Sequence, residues 1–262
     1  MRVSEWVVLG YFVYLAVAAM LQRGPFVRRL KTAAAAVMAA AAVLLGARTP
    51  SALRDWLPAL YILPAYYLTG RLFVAPAEHL EKWLMGWDRR LLGDPATRFA
   101  SWPRPVVSAL EVVYMCTFLV VPGGFGLLAA AGHAAAADRY WTLVVGADFA
   151  AFAPLSIFQT RPPWVLERKP VLTDPALHEF ASRVVETVSI RVNTFPSGHT
   201  AVSLAVALGV LSLMPVAGTI LLAVALSIGV ACFVCRYHYV LDVVAGVLVA
   251  LSVWLAVTIA AL

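Results

Sequence analysis

His238 and Asp242 stand four residues apart, the spacing that puts two side chains on one helical face. A carboxylate so placed fixes the tautomer of an imidazole and stabilises its cation. Such a histidine is a competent nucleophile toward phosphorus, and His199 is a candidate to protonate a leaving oxygen. Arg161 and Arg236 offer forked donors for equatorial phosphate oxygens, where they would spread developing charge. Pro196-Ser197-Gly198 comes just before an apolar run. It predicts a helix whose first N–H groups and positive dipole end face an anion. Gly198 permits close backbone approach to a ligand, and Ser197 can cap or donate. Together these residues make a phosphoryl-transfer set that needs no metal and no cofactor.

The same residues fall into three polar clusters, Gln159 to Trp164, Asn193 to Thr200 and Arg236 to Asp242. Each sits at the end of a predicted apolar helix, and all three lie on one side of the membrane. Ionisable groups at that depth are costly, so by default they mark a site. Arg168 and Lys169 follow the first cluster closely and are candidates for assisting phosphate capture. His133 and His178 read as loop residues, and His79 as a headgroup contact.

Pro196-Ser197-Gly198-His199, followed by His238-x-x-x-Asp242, resembles the second and third signatures of the type 2 phosphatidic acid phosphatase superfamily. Arg161-Pro162 resembles the end of its first. The resemblance implies a helical membrane bundle working through a phosphohistidine. His238 would be the nucleophile, Asp242 its partner and His199 the general acid, with Arg161, Ser197 and Gly198 around the phosphate. Two positions depart from the pattern. The Lys usual seven residues before the Arg is replaced by Pro154. The Arg usual six residues before the His is replaced by Cys232, which leaves Arg236 as the nearest substitute. Both departures resemble the branch that contains inositol phosphorylceramide synthase and sphingomyelin synthase. The implied substrate is a phospholipid or isoprenoid phosphate, and the reaction a phosphatase or phosphotransferase step. Two alternatives stand beside it: transfer of a phospho-headgroup between lipids, and an anion or lipid transporter or scaffold without turnover.

The elements that must position these residues are membrane helices. Of 262 residues, 62% are apolar and only 13% charged, with a mean hydropathy of +0.85. Soluble chains carry roughly 45–50% apolar and about 25% charged residues, so a soluble domain is excluded. Eight stretches approach the roughly 20 residues a bilayer requires: 3–22, 31–47, 53–74, 106–131, 139–159, 198–214, 216–235 and 238–261. The third should be broken or partly inserted, because Arg54-Asp55 opens it and Pro58 and Pro64 interrupt it. Near 77–92, Leu80, Trp83, Leu84, Trp87 and Leu91 recur at spacings of three and four against charged neighbours. This predicts an amphipathic helix lying in the interface.

The expected fold is therefore all-α, a polytopic transmembrane bundle and a single membrane domain over 1–262. It has two extra helices in 1–47 and a six-helix catalytic core over 53–262. The net charge is +6. If all eight segments span, sixteen Lys and Arg lie on the side of the clusters and four on the other. The positive-inside rule would make the richer side cytoplasmic, although phosphate-binding arginines add to the same count. The expected location is a bacterial inner or plasma membrane. No basic run interleaves with aromatics, so membrane lipids and not nucleic acid are the expected partners. Cys116, Cys232 and Cys235 read as small residues filling helix interfaces.

Overall fold

The computed structural model describes residues 1–167, 190, 192 and 195–260. Arg168, Lys169, His178 and the Asn193-Thr194 opening of the second cluster lie outside the described residues. Among the described residues the chain is helical, without strands. The helices are α1 (Val3–Leu21), α2 (Phe26–Gly46), α3 (Ser51–Arg54), α4 (Leu57–Gly70), α5 (Glu78–Leu92), α6 (Pro95–Ala100), α7 (Arg104–Met115), α8 (Thr117–Ala130), α9 (Ala137–Phe152), α10 (Pro163–Leu166), α11 (Gly198–Leu211), α12 (Pro215–Val234) and α13 (Val240–Ile259). Four of them are long and apolar enough to cross a bilayer, or five if the bent pair α7–α8 is one span. The chain is an integral membrane protein with an all-α polytopic bundle.

Two of the eight predicted segments are interrupted. Segment 53–74 becomes the single turn α3 followed by α4, with the break at Asp55-Trp56 and Pro64 carried inside α4. Segment 106–131 is not one helix: α7 and α8 meet at Cys116 with a bend of 57°. At the bend the Thr117 hydroxyl donates to the Tyr114 carbonyl, 2.8 Å away. Further along, Pro122 cannot supply the N–H that the Phe118 carbonyl would take.

Polar ties at both ends fix the up-and-down order. At one end Arg54 bonds Glu5, Arg2 bonds Asp55, and Asp138 accepts from the backbone N–H groups of Val3 and Ser4. At the other end the Gln159 side chain accepts from the N–H of Val74 and donates to the Leu72 carbonyl, while its own carbonyl accepts from Ala77 N–H. Gln159, the first residue of the first polar cluster, thus pins the α4–α5 connection. The two N-terminal helices are packed into the bundle: Tyr11 of α1 stacks on Phe149 of α9 at 4.3 Å and bonds Thr69 of α4.

Helix α11 is the hub. Ala201, Val202, Leu204, Ala205, Val206, Ala207 and Val210 are all buried, as expected for a helix that is apolar all round and enclosed by others. Helices α12 and α13 turn Val216, Ile220, Leu226, Leu248 and Leu255 outward. Small residues allow the close approaches: a methyl group on Gly246 of α13 would fall 2.7 Å from the Ser197 carbonyl oxygen and 3.1 Å from Thr200 Cβ. Gly246→Ala should therefore push α13 from α11 and cost about 1–3 kcal/mol, read as a lower thermal midpoint in detergent. Gly10→Ala, whose added carbon meets nothing within 4 Å, should leave the midpoint unchanged or raise it.

Candidate active site

The three polar clusters meet at one end of the bundle, joined by backbone hydrogen bonds. Ser197 N–H donates to the Asp242 carbonyl at 2.9 Å, and Trp164 N–H to the Arg236 carbonyl at 3.1 Å. The Tyr239 hydroxyl donates to the Arg161 carbonyl at 3.0 Å. Each cluster is thus seated on another before any ionic contact is considered.

At their centre is a chain of three side chains. His238 Nδ1 lies 3.3 Å from Asp242 Oδ2, which also accepts Tyr239 N–H at 3.0 Å. His238 Nε2 lies 3.4 Å from His199 Nδ1. With Asp242 accepting from Nδ1–H, the lone pair of His238 is left on Nε2, the nitrogen that faces His199. Asp242 is fully buried and His238 nearly so. Burial pushes the His238 imidazole down to about 3, so the ring is neutral at physiological pH. His199 is held between aromatic rings, stacked on Tyr114 at 4.6 Å and edge-on to Phe118 at 6.2 Å. Those two residues flank the α7–α8 bend, which is how the bend serves the site. Tyr237 stacks on the other face of Tyr114 and donates to Glu111.

Ser197 caps α11, its hydroxyl accepting Thr200 N–H at 3.3 Å. Gly198 is needed for packing, since an added methyl group would fall 2.5 Å from the Phe152 ring. Both histidines, Gly198, Tyr114 and Tyr237 line a cavity of about 330 Å³ whose remaining wall is largely apolar.

The arginines are engaged by carboxylates. Arg161 gives its backbone N–H, Nε and Nη2 to Glu81 at 2.7, 3.0 and 2.7 Å. Arg236 gives Nε and Nη2 to Glu167 and Nη1 to Asp88. Asp88 also accepts Val240 N–H, at the start of α13. Burial raises the Glu81 carboxyl, but the bonds and charge of Arg161 more than offset this and hold it below the usual carboxylate range. For Asp88 burial outweighs Val240 N–H and Arg236, and its carboxyl is raised. Arg236 sits at φ 60°, a costly conformation for a residue with a side chain, held there by its two carboxylates. Neither guanidinium lines the cavity.

Glu81, Asp88 and Glu167, which hold the two arginines, were not singled out in the sequence. The amphipathic helix near 77–92 exists as α5, but its outward stripe is apolar, with Trp83 and Leu91 half exposed, and its inward stripe is Glu81, Leu84 and Asp88. The signal was present as two acids seven residues apart on one face, on the side of the molecule that carries the arginines. Cys232 and Cys235 are free thiols, and among the described residues no group of three His, Cys, Asp or Glu is arranged to hold a metal ion.

The family model described as the PAP2 superfamily matches residues 82–256, well over half of the chain. Neither the curated proteins nor the solved structures yield a match.

The depressed His238 has a checkable consequence. In a long-range ¹H–¹⁵N spectrum the ring should keep the neutral, Nδ1-protonated pattern from about pH 8 to about pH 5, although an ordinary histidine titrates near 6.5. Between about pH 6.5 and the folded value the unfolded chain binds the proton that the native ring refuses, so His238 lowers stability as pH falls through that window. A midpoint near 6.5 in the folded protein would contradict this environment.

Proposed function

The chain belongs to the PAP2 superfamily, whose membership supports a phosphatase-type function on lipid phosphates, and we propose that it transfers the phosphoryl group of a membrane lipid phosphate through His238. The observation that carries this reading is the Asp242–His238–His199 chain on the wall of an apolar cavity. A relay of hydrogen-bonded side chains supplies the nucleophile, and the apolar wall suits a lipid tail.

A phosphoryl group arriving at His238 Nε2 takes the place of His199 Nδ1 there, and His199 meets the leaving oxygen instead. The Nε2–P bond forms as the P–O bond to the lipid breaks, and His199, which enters this step as the imidazolium beside the anionic phosphate, gives its proton to the departing alkoxide and is left neutral. Asp242 carries the counter-charge as the His238 ring becomes cationic. In the second step water gives a proton to His199 and attacks phosphorus, breaking the N–P bond and releasing phosphate. An alcohol acceptor at the same position would give a transferase by the same atoms. The dipole end of α11, opened by Ser197 and Gly198, faces the equatorial oxygens. Arg161 is the arginine for those oxygens, since its fork is one-third exposed and a phosphate can compete with Glu81 for it. Arg236, 2% exposed and shared by two carboxylates, positions the 235–239 loop.

His238→Ala should abolish release of phosphate from lipid phosphates in mixed micelles, by at least about 10³-fold. The wild-type protein should yield a labelled phosphoenzyme that is labile to acid and stable to base. His199→Ala should cost about 10²–10⁴-fold on an alkyl phosphate and far less on an aryl phosphate, whose leaving group needs no proton. Wild-type turnover by His238→Ala would overturn the reading. Anion flux into liposomes with no phosphoenzyme and no phosphate release would put a transporter in its place.

A further inference from the structure

Asp148 lies in the middle of an apolar helix and has no role in the chemistry above. It stands on α9 one turn before Phe152, and both line the cavity that holds the two histidines. The Phe152 ring packs against Gly198, at the phosphate end. Asp148 is therefore about 6 Å further into the bilayer, by the pitch of the helix. At that depth the wall consists of Val202 from α11, Val121 and Pro122 from α8, and side chains of α4. Leu60, Leu63 and Phe118 at the rim are about half exposed, so the cavity opens toward lipid between α4 and α8.

Asp148 is 3% exposed, and no hydrogen bond or ion pair reaches its carboxyl from the described residues. The other buried acids described above are engaged: Glu81 by Arg161, Asp88 by Arg236, Asp242 by His238 and Glu111 by Tyr237. Thr117, also on the cavity wall, is satisfied by the Tyr114 carbonyl. A lone carboxyl in an apolar wall is expensive and is tolerated where a ligand supplies its partner. Its less costly neutral form there both donates and accepts.

We propose that Asp148 is a specificity residue that hydrogen-bonds the polar linkage between phosphate and hydrocarbon in the substrate, selecting glycerolipid- or sphingolipid-type phosphates over isoprenoid phosphates. The former carry ester, amide or hydroxyl groups a few bonds from phosphorus, at the depth where Asp148 stands. An isoprenoid phosphate presents only hydrocarbon there and leaves the carboxyl unpaired, a loss that polar sites exact from ligands lacking the matching group. This inference rests on the proposed lipid-phosphate activity.

The test compares the wild type with Asp148→Asn, Asp148→Leu and Asp148→Ala on two substrates in mixed micelles, a diacylglycerol phosphate and a farnesyl monophosphate. The ratio of kcat/KM for the first over the second should fall about tenfold in Asp148→Leu and Asp148→Ala, mainly through KM for the glycerolipid. It should stay within about threefold of wild type in Asp148→Asn, which keeps a donor and an acceptor. An active wild type with an unchanged ratio in both apolar variants would overturn the role of Asp148 and leave the enzyme reading standing, as would an equal loss on both substrates. A wild type that neither turns over either substrate nor traps a phosphoenzyme would overturn both.

Discussion

Everything at the active end of this protein hangs on Asp242. Its carboxylate accepts from His238 Nδ1 and from Tyr239 N–H, and its backbone carbonyl accepts from Ser197 N–H. One residue thereby orients the proposed nucleophile His238, starts helix α13 and locks the capping turn of α11 against it. The side chain is wholly buried, where a carboxylate is tolerated only with such partners. The close approach is possible because Gly246, one turn along the same helix, presents no side chain to the Ser197 carbonyl. The geometry of the Asp242–His238 pair and the packing of α13 on α11 are therefore one constraint, and neither can be altered without the other.

Around that centre the bilayer sets a second rule: a cation held at the inner end of a membrane bundle needs an acid of its own. Helix α5 meets this need for two arginines, with Glu81 on Arg161 and Asp88 on Arg236. The two pairs differ in consequence. The Arg161 side chain is one-third exposed, so its ion pair is screened and can be exchanged for another anion. Arg236 is sealed between two carboxylates while its backbone sits in the left-handed region. Removing Asp88 would leave Arg236 to Glu167 alone and strip the Val240 N–H of its acceptor. The first pair has the properties of a ligand grip and the second those of a brace.

The fold was legible in the sequence to the extent that hydrophobic runs and the bilayer thickness decide it. Every predicted segment contains a helix, including the interfacial one. The bend at Cys116 was not legible, because it depends on where Tyr114 and Phe118 must stand relative to His199, a long-range requirement that local hydropathy does not record. At the site, the histidines, Asp242 and Ser197 could be named from spacing because each lies within a few residues of a helix start, where local rules apply. Glu81 and Asp88 escaped because their partners are 80 and 148 residues away. An acidic residue on an amphipathic helix reads as solvated surface unless the face it occupies is known. Asp148 escaped for the opposite reason: it has no partner pattern at all, only a position.

That position connects the chemistry to the membrane. The cavity has two levels, a polar one with His199, His238 and Tyr237, and a deeper apolar one whose wall includes Val202, Val121 and Asp148. A lipid phosphate has the same order along its length, charged group first, then linkage, then hydrocarbon. A soluble anion would fill only the upper level and leave the apolar depth unused. The depth of the cavity, and its opening beside half-exposed Leu60 and Leu63 on α4, therefore argue for a substrate that never leaves the bilayer. In the proposed reaction the hydrocarbon would position the phosphorus: tail contacts in the lower level would hold the ester in line with His238 Nε2, the use of remote binding that raises turnover.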